Sequence, residues 1–356
     1  MEFRRKDRPF VIAGPCSAET REQVLETAEG LKDLNVDLLR AGVWKPRTRP
    51  GKFEGIGEEA IAWLKEAGNL IGKPVTVEVA SAAHVELALK GGVDVLWIGA
   101  RTTVNPFMVQ EIADTLKGTD VPVLVKNPVN PDVELWIGAI ERFQSVGLTK
   151  LGAIHRGFST FQKSPFRNSP NWNIPIELKR RMPDVPIICD PSHICGNREL
   201  LGEVAQKAID LNMDGLMLET HRDPTKAWSD AEQQVAPKEL ERILSELVWR
   251  NPNSLDLEVK AKLEELRATI DGLDRDILDL LIDRLEISRK IGEYKREHNI
   301  TILQHQRWNE ILHDREAYIQ GKQLSPRFLY KFLEAIHEES IQQQTHVMNT
   351  KKAEDA

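Results

Sequence analysis

The chain has 356 residues, with 48 Lys and Arg against 55 Asp and Glu and a net charge of −7, which suits one large or two smaller globular domains and excludes a general nucleic-acid binder. No apolar run is long enough to span a bilayer, and the basic start is followed by a short apolar run that breaks at Gly14-Pro15, so neither a membrane span nor a signal peptide is expected. Three cysteines, Cys16, Cys189 and Cys195, are too few and odd in number for a disulfide framework and fit free thiols in a reducing cytoplasm.

Over the first 250 residues β-rich runs alternate with amphipathic stretches. The expected strands are 10–14, 37–41, 75–79, 93–98, 121–125, 150–154, 185–189 and 215–218. The expected helices between and after them are 21–34, 58–71, 82–90, 106–116, 133–145, 175–181, 198–211 and 237–248. Eight such β-α units in about 250 residues predict a (β/α)8 barrel. An open doubly wound sheet is the alternative, but Gly14-Pro15-Cys16-Ser17 after the first strand is not a glycine-rich phosphate fingerprint.

In a barrel of this kind the chemistry sits where the strands end. The second strand runs into Val43-Trp44-Lys45-Pro46-Arg47-Thr48-Arg49-Pro50, a proline-stiffened segment that offers Arg forks and a Lys point charge to phosphate or carboxylate. A solvated basic loop is the plainer reading of that segment taken alone. Six cations at strand ends, Arg40, Lys45, Arg47, Arg101, Lys126 and Arg156, favour an anion site in an acidic protein, because like charges gathered at one rim repel. Cys16, His193, Glu219 and Asp230 fall after the first, seventh and eighth strands. Singly they read as a small buried thiol, a structural histidine and capping acids. Together they form a mixed S/N/O set suited to Mn2+, Fe2+, Co2+ or Zn2+.

From Leu257 the texture turns helical after the polar linker 251–256. Leu263, Leu266, Ile270, Leu273, Ile277, Leu280, Arg284, Ile287, Ile291 and Tyr294 alternate steps of three and four, a heptad-like seam that Arg284 interrupts. Shorter helices are expected over 304–319 and 326–344, the latter opened by Ser325-Pro326 as N-cap and N1 proline. Lys295, eleven residues beyond Arg284, points the same way, whereas Arg267, seventeen residues before it, is about 25 Å distant along a straight helix. These helices read either as an oligomerisation bundle, with Arg284 paired to an acid, or as a ligand pocket to which Arg267 comes from a partner chain.

Lys45-Pro46-Arg47-Thr48, Gly14-Pro15-Cys16-Ser17, Gly99-Ala100-Arg101-Thr102, Lys126-Asn127-Pro128, His155-Arg156-Gly157 and Asp190-Pro191-Ser192-His193 resemble, in order, the type Iβ branch of 3-deoxy-D-arabino-heptulosonate 7-phosphate (DAHP) synthases. The resemblance implies condensation of phosphoenolpyruvate with erythrose 4-phosphate, an early step of aromatic amino-acid biosynthesis. Arg101, Lys126 and Arg156 would hold the phosphate of phosphoenolpyruvate, and Arg40 and Lys45 its carboxylate. Arg47 and Thr48 would take the phosphate of erythrose 4-phosphate, Cys16, His193, Glu219 and Asp230 the divalent metal, and Asp190 would face the aldose hydroxyls. Lys45, Asp190 and His193 are the expected catalytic groups of the barrel. The related 3-deoxy-D-manno-octulosonate 8-phosphate synthases share the barrel but carry Lys-Ala-Asn-Arg-Ser where this chain has Lys45-Pro46-Arg47-Thr48, and they stand as the alternative. A ferredoxin-like control domain, present ahead of the barrel in some relatives, is not expected here.

The helical segment resembles the all-helical chorismate mutases, whose three-helix chains form an entwined dimer. The matching positions are Arg267, Arg284, Lys295, Arg307, Ser340 and Gln344. Arg267, reaching across the dimer, and Arg284 would hold the carboxylates of chorismate, and Lys295 and Gln344 its ether oxygen, with Arg284, Lys295 and Gln344 catalytic. Gln304 and Trp308 depart from the Asp and Glu of some relatives. The expected whole is a bifunctional cytoplasmic homo-oligomer, a barrel over 1–250 and a mutase domain over 257–350, with prephenate restraining the barrel. A helical tail that only dimerises and senses is the alternative.

Overall fold

Eight parallel strands pair in chain order and close on themselves in the computed structural model, which describes residues 2–45, 51, 53–161, 164–250 and 257–349. The strands are β1 (Phe10–Gly14), β2 (Leu38–Arg40), β3 (Val75–Val79), β4 (Val95–Ile98), β5 (Val123–Lys126), β6 (Leu151–His155), β7 (Ile187–Cys189) and β8 (Gly215–Glu219). Closure is made by β8 on β1, in a register that sets Gly14 opposite Glu219. The surrounding helices are α1 (Arg21–Leu31), α2 (Glu59–Ile71), α3 (Ala82–Lys90), α4 (Ala100–Thr103), α5 (Pro106–Thr115), α6 (Val133–Ser145), α7 (Asn173–Arg181), α8 (Pro191–Cys195), α9 (Leu201–Asp210) and α10 (Pro237–Glu246).

The barrel is held by two apolar layers, as alternation along each strand requires. Phe10, Ile12, Leu38, Val95, Trp97, Leu124, Ile154, Ile188 and Met217 fill the lumen, joined by Phe3, whose ring meets Phe10 edge-on at 5.7 Å. Their strand neighbours, such as Val11, Ala13, Leu39, Leu96 and Ala153, face the helices. Gly14 is obligatory: its φ is +144°, and a Cβ there would lie 2.1 Å from the Arg40 carbonyl oxygen.

The strand and helix expectations shift by a few residues at their ends. Lys126, His155 and Glu219 join β5, β6 and β8 as last residues rather than following them. The short α4 and α8 were not expected. In α8 the Asp190 side chain accepts from the His193 backbone N–H and Pro191 sits in the first turn, so a segment read as loop winds into one helical turn at a site-bearing strand end.

The chain divides into two compact units, Met1–Pro252 and Asn253–Ala356. The second contains α11 (Leu257–Glu297), α12 (His305–Tyr318) and α13 (Pro326–Asn349). Here α13 lies along α11, and Gly292 lets the helices approach until a Cβ at that position would be 3.1 Å from Gln344 Cα. Along α11 only Ser288, Gly292 and Lys295 are buried, while Leu263, Leu266, Ile270, Leu273, Ile277 and Leu280 are 43–68% exposed. The apolar seam is therefore uncovered within one copy. Among the described residues no helix is long and apolar enough to cross a membrane.

Candidate active sites

At the C-terminal rim of the barrel, acids and cations meet in pairs. Arg40, 1% exposed at the end of β2, places Nη1 3.1 Å from Glu219 Oε1 and donates from Nη2 to the Cys16 carbonyl oxygen at 3.1 Å. Its guanidinium lies over the Trp97 ring, 4.9 Å from the centroid, and the Lys126 ammonium shares that ring at 5.8 Å. Trp97 is thus an aromatic floor under two cations, fixed by its Nε1 donating to Glu78 Oε2 at 2.9 Å.

Lys126 donates to Asp190 Oδ2 at 3.1 Å, and His193 Nδ1 lies 2.8 Å from the same oxygen. Burial alone would raise the Asp190 carboxyl, but His193 and Lys126 hold it well below the usual carboxylate range. Asp190 is fully buried, and both its oxygens contact Lys126 or His193, Oδ1 accepting from the His193 backbone N–H at 3.1 Å. Arg156 donates to Asn168 Oδ1 at 2.7 Å, and its backbone N–H to Asn127 Oδ1 at 2.7 Å. Burial lowers the Arg156 pKa to about 10, with Arg167 and Arg101 among the neighbours pushing the same way, so Arg101 belongs to this cluster.

The four expected metal ligands form two contacting pairs. Cys16 Sγ is 3.4 Å from Asp230 Oδ2, and His193 Nε2 is 3.8 Å from Glu219 Oε1. Donors of one tetrahedral ion lie about 3.3–3.8 Å apart. The pairs sense each other: burial would raise Glu219, yet His193, Arg40 and Lys45 hold it below its ordinary value while Asp230 opposes them. Burial likewise works to raise Asp230, and Arg167, His193 and Lys45 hold it down. Among the described residues, no three of these donors close on a common point as they stand. Cations hold their places instead. Lys45 Nζ donates to the Cys16 carbonyl oxygen at 2.6 Å and sits 3.0 Å from Sγ, Arg40 faces Glu219, and Arg167 donates to Asp230 Oδ1 at 3.0 Å.

The donor set nevertheless fits a borderline divalent ion. It joins a thiol, an imidazole and two carboxylates, and the buried Glu219 Oε1 accepts no hydrogen bond among the described residues. Cys189 and Cys195, expected to be structural, are unpaired and buried, with thiol pKa values pushed upward by burial.

The sequence reading missed a supporting layer. Arg167, between β6 and α7, bridges Asp230 and Gln233 Oε1 (2.7 Å), and Gln233 Nε2 donates to Glu219 Oε2 at 2.5 Å. Gln234 Oε1 accepts from the Cys16 backbone N–H at 2.9 Å. Asn127 Nδ2 donates to the carbonyl oxygen of Gly157, which follows Arg156, at 2.8 Å. Asn127 follows the last residue of β5 directly, whereas Arg167, Gln233 and Gln234 lie deep in the loops after β6 and β8, where no spacing marks them. A cavity of about 540 Å³ opens beside Asp230, Arg167 and Gln233. Arg47 and Thr48 lie outside the described residues.

In the helical unit a second cavity, about 520 Å³, is lined by Arg284, Lys295, Arg307, Ser340 and Gln344, together with Gln304 and Trp308. Arg284 Nη1 donates to Ser340 Oγ at 2.7 Å, Lys295 Nζ to the Ile302 carbonyl oxygen at 2.6 Å, and Gln344 Nε2 to Ser288 Oγ at 3.1 Å. Gln344 Oε1 is buried without a hydrogen bond among the described residues. Burial lowers the pKa of both Arg284 and Lys295. Among the described residues Arg284 is paired to Ser340 and to no acid, which differs from the pairing a plain bundle would have. Arg267 is exposed, paired with Glu264 at 2.6 Å, and does not line this cavity.

The DAHP synthetase I family matches residues 4–254, and chorismate mutase type II matches residues 266–345. A phospho-2-dehydro-3-deoxyheptonate aldolase from Thermotoga maritima is 34% identical over 225 residues, 63% of this chain and 64% of its own length. The chain thus spans just under two thirds of that relative. A 2-dehydro-3-deoxyphosphooctonate aldolase from Dechloromonas aromatica is 28% identical, covering 73% of this chain and 96% of its own. The crystal structure of the Thermotoga maritima phospho-2-dehydro-3-deoxyheptonate aldolase (DAHP synthase) is similar with a TM-score of 0.60 at 32% identity, covering 67% of this chain and 68% of that one. With a match spanning its whole barrel, the chain belongs to the DAHP synthetase I family and carries a chorismate mutase type II domain after the barrel.

Proposed function

We propose that the barrel condenses phosphoenolpyruvate with erythrose 4-phosphate and water to give DAHP and phosphate, and that the helical unit rearranges chorismate to prephenate. The observation that carries the first reading is the gathering of Arg40, Lys45, Lys126 and Arg156 at one rim beside Cys16, His193, Glu219 and Asp230. Arg101, Lys126 and Arg156 take the phosphate of phosphoenolpyruvate, and Arg40 and Lys45 its carboxylate. Arg47 and Thr48 take the phosphate of the aldose. The two anions repel, so fixing them in register removes a large part of the barrier.

In the reaction a C–C bond forms between C3 of phosphoenolpyruvate and the aldehyde carbon. Water adds at C2, and the C2–O bond to phosphate breaks. Cys16, His193, Glu219 and Asp230 would hold the divalent ion, Mn2+, Fe2+, Co2+ or Zn2+, which when bound polarises the aldehyde as a Lewis acid. Asp190 keeps Lys126 and His193 aimed into the site.

In the helices the rearrangement is pericyclic and needs only a clamp and charge at the breaking C–O bond. Arg284, held by Ser340, and Arg267 of a second copy take the carboxylates. Lys295 Nζ donates to the ether oxygen, and Gln344 joins it with its amide turned so that Nε2, which donates to Ser288 Oγ in the ligand-free chain, faces that oxygen. The uncovered seam of α11 supports pairing with a second copy. An acidic chain with three unpaired thiols suits the cytoplasm.

Purified protein assayed with erythrose 4-phosphate against arabinose 5-phosphate tests the first reading. Preference for arabinose 5-phosphate would assign the octulosonate reaction of the phosphooctonate relatives instead. Chorismate loss, followed directly with an Arg284→Ala control, tests the second; equal slow rates would leave the helices a dimerisation and sensing module. Prephenate as a restraint on the barrel is tested by adding it to the condensation assay, where an unchanged rate at saturation ends that idea.

A further inference from the structure

The helical cavity contains a titratable group that the scheme above does not use. His337, on α13, lines the cavity together with Arg284 and Lys295 from α11 and Arg307 and Trp308 from α12. Its ring stacks on Trp308, with centroids 4.1 Å apart and planes 15° from parallel. Among the described residues neither ring nitrogen of His337 makes a hydrogen bond, so its polar edge is available to a ligand.

The charge around His337 has one sign. The ionisable groups lining the cavity are Arg284 and Lys295 from α11, Arg307 from α12 and His337 itself from α13, and among the described residues the lining contains no Asp or Glu. Burial, then Arg284, then Lys295, push the His337 pKa below its ordinary value and so disfavour the charged ring in the ligand-free pocket. A doubly negative ligand reverses the local potential. It screens the two cations from the imidazole and adds two negative charges of its own, both of which favour the protonated ring. The indole face of Trp308, 4.1 Å away, further favours a cation over it.

We propose that His337 is a further ligand-binding residue of this pocket, one that takes up a proton from solvent as a dicarboxylate enters and then donates a hydrogen bond to it, with Trp308 as its stacking partner. The step moves one proton from water to the imidazole and breaks no covalent bond of the ligand. It also gives Trp308, a departure from the acidic residue of some relatives, a use: an acid there would hold His337 protonated in advance and remove the dependence on the ligand. The proposal rests on reading the cavity as a dicarboxylate site.

The test is titration calorimetry of the full chain with prephenate, in buffers of different ionisation enthalpy between pH 6 and 7.5. Wild type is expected to take up a fraction approaching one proton, with affinity rising toward tenfold per pH unit as pH falls. His337→Phe keeps a ring on Trp308 but cannot titrate, and His337→Gln keeps a polar edge but cannot titrate. Both are expected to show no uptake and a nearly constant affinity over this range, or to lose binding with thermal unfolding unchanged. Equal uptake in wild type and both variants, or none in wild type, overturns the role of His337. No binding of prephenate by wild type overturns the dicarboxylate reading itself.

Discussion

Lys45 Nζ stands 3.0 Å from the thiol of Cys16 and 2.6 Å from that residue's carbonyl oxygen, so the first cation of the basic loop sits directly on the sulfur expected to bind a metal. On the proposed roles the anion site and the metal site share one location, and an incoming ion would have to displace this ammonium from the sulfur. Treatment with a chelator is expected to abolish condensation, and Mn2+ to restore it. Cys16→Ala is expected to lose activity at least 100-fold with bound metal reduced, the chain remaining folded. Full activity after complete metal removal, verified by elemental analysis, would discard the ligand set.

The Arg40–Glu219 pair is 1% and 0% exposed, at 3.1 Å. Removing one partner leaves the other charge buried and unpaired. Arg40→Ala is expected to destabilise the barrel by about 3–5 kcal/mol and to raise the KM for phosphoenolpyruvate. Chemical denaturation and steady-state kinetics check this. A variant of wild-type stability would mean that Glu219 finds another partner.

His155 is wholly buried between Trp172, Phe158 and Trp136, at 5.3, 5.7 and 6.4 Å between ring centroids. Among the described residues neither ring nitrogen is hydrogen-bonded, and burial, helped by Arg156, pushes its pKa down to about 3. The unfolded chain binds a proton near pH 6.5 and the folded chain does not. The neutral form thus stabilises fully above that value, and stability is lost as pH falls from there toward 3, at up to about 1.4 kcal/mol per unit. Denaturation midpoints at pH 7 and pH 5 should separate less for His155→Phe than for wild type. Parallel losses would clear His155.

Arg267 is seventeen residues before Arg284 on α11 and outside the cavity that Arg284 lines. If a second copy supplies it, Arg267→Ala and Arg284→Ala proteins are each inactive as mutases but complement on mixing. Random reassembly gives about a quarter of wild-type activity, because half the dimers carry one intact site of two. No recovery after subunit exchange, confirmed by native mass spectrometry, would place both arginines in the site of one chain.

The eightfold alternation of strand and helix was legible because each pattern is local: apolar runs of strand length, amphipathic helices and the turn residues between them. The placement of Arg40, Lys126, Arg156, Cys16, His193 and Glu219 at or just after strand ends was legible for the same reason, since barrel geometry sends strand ends to one rim. What was not legible was how these groups pair. Arg40 with Glu219, and Lys126 with Asp190, are 179 and 64 residues apart in the chain. Arg167, the amides of Gln233 and Gln234, and the stacking of His337 on Trp308 carry no pattern of their own.

The barrel, the all-helical end and the rim on which the charges lie follow from local pattern, because periodicity and strand order are properties of neighbouring residues. The pairing of Arg40 with Glu219 and of Lys126 with Asp190, and the apolar face that α11 leaves uncovered, emerge only once the chain is folded. Those outcomes depend on which distant side chains burial brings within a few ångströms of each other, and spacing along the chain does not encode that distance.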